Sequence, residues 1–134
     1  QDAIRVLGWT RIPGELLVAI APGQKVLPHQ ATEVRLARLS LATRALREIR
    51  RFPSAYFSNG ELSPDRRQIA LALREDGRDN IAVVSLDRGH MRMITTNSDG
   101  RTYFSVLCWS PDGRSLCFGK QVKWSSIAMI SKFR

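Results

Sequence analysis

Asp65 and Asp112 stand in matching contexts, "LSPDRRQI" and "WSPDGRSL", 47 residues apart. Two carboxylates brought together could divide the work of a general acid and a general base. The repetition favours a structural reading instead: an Asp in an S-P-D turn accepts hydrogen bonds from its own turn backbone. His29 and His90 have no acidic or cysteine residue at ligand spacing and read as polar surface groups. Trp124 lies in a loop beside Lys120 and Lys123; it reads first as packed on its own blade and, in the functional alternative, as the aromatic residue that meets a partner. No G-x-S-x-G, H-E-x-x-H, P-loop or G-x-G-x-x-G motif occurs, so the sequence nominates no catalytic, cofactor-binding or metal-binding residue.

Cys108 and Cys117 flank the second S-P-D turn. A three-residue P-D-G turn would pair Ser110 with Arg114 and set Cys108 opposite Leu116, with the thiols on opposite faces. A two-residue D-G turn would set Cys108 opposite Cys117. Pro111 suits the second position of a type I turn, so the expectation is the first register, with two free and largely buried thiols. The net charge of +9 comes mainly from 17 Arg among 21 basic residues, spread along all 134 positions. Such a charge favours anionic partners, but its dispersal ranks nucleic acid low and keeps an anionic membrane surface as one class of partner. The longest apolar run, "LLVAIA" at 16–21, is far short of the roughly 20 residues that cross a bilayer.

The elements that must carry these residues follow from an internal period. "LSPDRRQI" (62–69) matches "WSPDGRSL" (109–116) at 47, "IAVVS" (81–85) matches "IAMIS" (127–131) at 46, and "LSLATRALREI" (39–49) matches "VSLDRGHMRMI" (84–94) at 45. A period of this size marks a repeated supersecondary unit. Each unit reads as strand, turn, strand, loop, strand, turn, strand: a four-stranded antiparallel meander. "QIALAL" (68–73) alternates large and small apolar residues, as a strand packed on both faces would. Strands are expected near 4–9, 16–21, 34–40, 45–49, 56–62, 68–73, 81–86, 91–95, 103–109, 115–119 and 126–131. The Leu-, Ala- and Arg-rich stretch 33–52 could alone be an amphipathic helix, but its match to a β-rich segment favours strands. Trp9, Leu62 and Trp109 recur at one position and read as core wedges.

The pattern "WSPDGRSL" with "DNIAVVSLDRGHMRMIT" resembles the WD40-like propeller repeat of TolB-type proteins, which also occurs in prolyl-oligopeptidase-type enzymes. The fold class expected is all-β, a partial β-propeller of about three four-stranded blades (1–52, 53–98 and 99–134), the last lacking its outer strand. The resemblance implies a non-catalytic protein–protein interaction module without cofactor, in the periplasm or envelope or within a regulatory assembly. Two alternatives stand beside it: an accessory propeller of a serine peptidase, and a basic surface for nucleic acid or anionic lipid. Its partners would be other proteins, or further copies of the chain that complete the propeller through the edge strand 126–131 and the N-terminal blade. The expected contact face combines the loops near 22–33, 50–55, 74–80 and 120–125. It nominates His29, Arg50, Arg51, Arg78, Lys120, Lys123 and Trp124.

Overall fold

The repeated turns set the register of everything else. In the computed structural model, which describes residues 2–21, 33–53, 55–123 and 128–133 (backbone alone at 56, 58 and 128–133), eleven strands form three antiparallel sheets. Blade 1 contains β1 (Ala3–Trp9), β2 (Glu15–Ala21), β3 (Val34–Ser40) and β4 (Leu46–Phe52). Blade 2 contains β5 (Ala55–Leu62), β6 (Gln68–Glu75), β7 (Arg78–Ser85) and β8 (Met91–Met93). Blade 3 contains β9 (Thr102–Trp109), β10 (Leu116–Val122) and β11 (Ala128–Phe133). Every sheet runs in sequence order, the up-and-down meander that the repeat predicts. The stretch 33–52 forms β3 and β4 rather than a helix. Residues 126 and 127 of the last expected strand lie outside the described residues.

The turns between the first and second strands of each blade are one residue longer than a P-D-G turn. The Ser110 N–H donates to the Ser115 carbonyl at 2.8 Å, and the Ser63 N–H donates to the Gln68 carbonyl at 2.9 Å. In blade 1 the Thr10 N–H likewise donates to the Glu15 carbonyl at 3.0 Å. The same rung therefore precedes each turn: Trp9–Leu16, Leu62–Ile69 and Trp109–Leu116. This corrects the cysteine register, because Cys108 faces Cys117 directly. The cause is side-chain bracing. Ser110 Oγ donates to Asp112 Oδ1 at 2.6 Å and accepts from the Ser115 N–H at 2.9 Å, while Asp112 Oδ1 accepts from the Arg114 N–H at 3.0 Å. These bonds hold Arg114 inside the loop. The expected burial is also corrected: both thiols are free, but Cys108 is exposed and Cys117 half-buried, since their rung points away from blade 2.

Blade 2 is the centre of the core. Ile69, Leu71 and Leu73 of β6 and Ala82 and Val84 of β7 pack toward blade 1, against Leu17, Leu36 and Phe52 among others. The alternate residues Ala70, Ala72, Ile81 and Val83 pack toward blade 3, against Phe104, Leu107, Leu116 and Phe118. Small residues on that side leave room for the edge-to-face pair Phe104–Phe118, whose centroids are 5.4 Å apart. Alternation of large and small residues along one strand thus fits two different interfaces. Leu62 packs on the core shared with blade 1, and Trp109 packs on that shared with blade 2. Trp9 departs from the wedge reading at 51 % exposure, because its side of blade 1 meets no further blade among the described residues.

Polar clamps fix the blades to one another. Trp109 Nε1 donates to the Glu61 carbonyl at 2.9 Å. Arg38 of β3 donates to the Leu86 carbonyl, and its guanidinium lies between Glu15 and Asp87. Gly89, at φ +70°, sits so close to blade 1 that a Cβ there would lie 2.4 Å from the Ile49 carbonyl oxygen.

Candidate functional site

An antiparallel meander sends its second-to-third-strand turns and its blade-to-blade connections to one end. At that end of blade 2, "REDGRDN" is not a broad loop but a two-residue turn. Glu75 pairs with Arg78, and Asp76 and Gly77 take φ of +50° and +72°, the signature of a type I′ hairpin. The tight turn delivers Arg74 and Asp79 to the boundary with blade 3. Arg74 Nη1 donates to Asp79 Oδ1, Arg74 Nη2 donates to the Gly77 carbonyl at 2.9 Å, and the guanidinium lies 4.8 Å from the Tyr103 ring centroid. Asp79 is buried, and its second oxygen accepts the Phe104 N–H at 3.2 Å.

The connection from β8 to β9, "ITTNSDGR", is laid over this pair by short polar side chains. Asn80 Oδ1 accepts from Thr95 Oγ1 at 2.8 Å and from the Asn97 N–H at 2.6 Å. Asn97 Nδ2 donates to the Asp79 carbonyl at 3.0 Å. Asp99 caps the entry to β9, its carboxyl held below the ordinary value by the Arg101 N–H first and the Thr102 N–H second. Between this connection and blade 3 lies a cavity of about 360 Å³. Its floor is the Phe104–Phe118 pair, its rim carries Thr95, Thr96, Asn97 and Ser98, and Lys120 lines its blade 3 side. Lys120 pairs with Phe104 across the sheet, so its side chain projects from the blade 3 face turned toward blade 2. It is half-buried, and its ammonium has no hydrogen bond or ion pair among the described residues.

The nominated residues fall in several places. Lys120 lines the cavity. Lys123 is exposed one turn further on, and its N–H donates to the Arg101 carbonyl at 3.0 Å. Arg78 is exposed at the hairpin tip. Arg51 is exposed on blade 1, within 3.0 Å of Glu48 and 3.7 Å of Glu33. Glu33 is held below the ordinary value chiefly by its hydrogen bond from Arg35, with Arg51 adding to the effect. Arg50 is half-buried and clamps blade 2, its Nη1 donating to the Gly89 carbonyl at 2.9 Å. His29, Trp124 and the long loop 22–32 lie outside the described residues. The expected contact face included the loop 74–80, which holds Arg74 and Asp79 without singling them out, but not Tyr103 or the segment 95–98. The run of Thr, Asn, Ser, Asp and Gly at 95–100 carried the signal for the last of these.

A second cavity of about 270 Å³ lies at the opposite end, lined by Arg11, Arg38, Arg66 and Asp87 among others. Its central cation is already engaged, because Arg38 is held by Glu15, Asp87 and the Leu86 carbonyl. Among the described residues no group of three or more His, Cys, Asp or Glu is placed to hold a metal ion.

No family model matches this sequence, and no curated protein matches it. Its structure is similar to that of an uncharacterized protein from Listeria monocytogenes EGD-e, at TM-score 0.71 and 18% identity, covering 96% of this chain and 36% of that one. It is similar also to a TolB-type protein from Agrobacterium tumefaciens, at TM-score 0.67 and 14% identity, covering 98% and 45% of the two chains. A third similar structure comes from a study of two prolyl endopeptidases, at TM-score 0.62 and 14% identity, covering 98% and 20%. The chain spans less than half the length of each of these proteins. At such identities the likeness establishes the fold, a segment of a TolB-like β-propeller.

Proposed function

We propose that this propeller segment is a non-catalytic binding module that docks an acidic segment of a partner protein in the cleft between blades 2 and 3. The observation that carries the reading is Lys120, a half-buried ammonium without a partner among the described residues, on the wall of a cavity with an aromatic floor and a rim of hydroxyl and amide groups. A partner carboxylate entering there would gain a charge-assisted hydrogen bond. The hydroxyls of Thr96 and Ser98 would meet its remaining lone pairs, while that of Thr95 is held by Asn80. The carboxylates nearby are committed: Asp79 to Arg74 and the Phe104 N–H, Asp99 to the entry of β9. Among the described residues, what remains at the cleft can hold an anion, and no nucleophile there lies beside an activating base. The net charge of +9 adds long-range attraction for acidic partners.

The likeness to prolyl endopeptidase structures favours a second reading, a propeller accessory to a peptidase. In that case the same cleft would meet another domain of one protein. Self-assembly is supported by a different surface, the outer face of blade 1, where Ile4 and Val6 are 61% and 59% exposed.

Fluorescence anisotropy with a dye-labelled, glutamate-rich peptide tests the main reading. Lys120→Ala should weaken binding about tenfold, the equivalent of ~1.4 kcal/mol, and Arg51→Ala should leave it near wild type. Equal binding by wild type and Lys120→Ala would overturn the proposal.

A further inference from the structure

Cys108 and Cys117 occupy one rung of the β9–β10 ladder, directly opposite each other, with both side chains on the face of blade 3 turned away from blade 2. Counting two residues inward from the Ser110–Ser115 rung, whose backbone bond is 2.8 Å, places them at a hydrogen-bonded rung. Cα atoms at such a rung are about 5.5 Å apart, within the roughly 4.4–6.8 Å that a disulfide spans. Both thiols are free, Cys108 is exposed, and Cys117 is half-buried behind it. The next rung inward is broken by a bulge, where Phe118 faces two residues of β9 and Val106 takes φ +51°. A bulge adds local twist and gives the strands freedom to adjust.

We infer that Cys108 and Cys117 form a reversible dithiol–disulfide couple, a redox staple across the first hairpin of blade 3. The exposed Cys108 thiolate attacks one sulfur of a small-molecule disulfide, such as oxidised glutathione. That S–S bond breaks, a Cys108–glutathione mixed disulfide forms, and one glutathione thiolate leaves. The Cys117 thiolate then attacks Cys108 Sγ, forming the cross-strand bond and expelling the second glutathione. The two protons released by the cysteines end on the two glutathione thiolates, so one disulfide is exchanged for another. Closing the bond must draw the Cβ atoms toward about 3.8 Å at a rung that holds them further apart. The strain favours re-reduction, which makes the couple a switch rather than a permanent cross-link. The adjacent rung carries Trp109, whose indole anchors blade 3 to the Glu61 carbonyl of blade 2. Oxidation therefore acts one residue from an inter-blade clamp.

The test uses the full chain, reduced, freed of reductant and incubated with oxidised glutathione under native conditions, with alkylation and intact mass as the readout. The expected product is a monomer that has lost two hydrogen atoms, takes up no alkylating reagent, yields a Cys108–Cys117 cross-linked peptide, and regains both thiols on adding reduced glutathione. Cys117→Ser should stop at a single glutathione adduct on Cys108. Oxidation of the wild type should be at least about tenfold faster in buffer than in concentrated urea, because the folded register presents the two thiols to each other. Persisting free thiols, stable glutathione adducts on the wild type, an intermolecular disulfide, or equal rates in buffer and urea would each overturn the inference.

Discussion

Replacing Asp79 by Ala removes a carboxylate that binds the end of blade 2 to the start of blade 3. Asp79 is only 6% exposed, and the Phe104 N–H that it accepts is buried with it. Leaving that donor without a partner costs about 1–3 kcal/mol. The ion pair with Arg74 is lost as well, but Arg74 is 20% exposed and keeps the Gly77 carbonyl and the Tyr103 ring. Its share is accordingly nearer 1 kcal/mol than the roughly 3–5 kcal/mol of a fully buried pair. Together the substitution should destabilise by about 3 kcal/mol. In urea that is a midpoint lowered by roughly 1.5 M with little change in slope. Asp79→Asn retains one acceptor and should fall about half-way. A loss below about 1 kcal/mol for Asp79→Ala would refute the assignment of Asp79 as the linchpin of the cleft.

Three further outcomes follow from the same geometry. Gly89→Ala should cost about 3 kcal/mol in urea unfolding, because it combines φ +70° with a 2.4 Å approach to the Ile49 carbonyl oxygen; Gly14→Ala, at φ +73° in open space, should cost about 1 kcal/mol. Asp65 and Asp112 are held below the ordinary aspartate value, first by the Ser63 and Ser110 hydroxyls and then by the Arg67 and Arg114 N–H groups. Their contribution is complete above the unfolded value near about 3.9 and is lost as pH falls through the lowered folded value, so the stability gap between wild type and Asp65→Asn should close on acidification through that window. If the outer face of blade 1 mediates assembly, light scattering should show a wild-type oligomer that Ile4→Lys with Val6→Lys dissociates, whereas a monomeric wild type would remove that surface from consideration.

The repeat made the strand order legible, and "QIALAL" revealed a blade packed on both sides. These signals survive because burial on two faces constrains residue size at every position. The turn length was open to misreading because Pro111 fits a shorter type I turn, and only the Ser110 and Asp112 side-chain bonds add the fourth loop residue. Equal spacing of Trp9–Leu16, Leu62–Ile69 and Trp109–Leu116 held the answer, since all three turns had to share one geometry. The site was less legible. Lys120 and Arg50 look alike in sequence as basic residues near blade ends, yet Arg50 is engaged by Gly89 while Lys120 has no partner among the described residues. The difference arises from contacts between blades, which local composition does not encode.

Amide-resolved NMR titration of the chain with an unlabelled glutamate-rich peptide tests the central claim most directly, because it locates the contact. The account predicts saturable shifts concentrated at Thr95–Ser98, Phe104, Phe118 and Lys120, reduced in Lys120→Ala. Shifts centred on Arg11, Arg66 and Asp87 at the opposite end, or spread evenly over the basic surface, would contradict it.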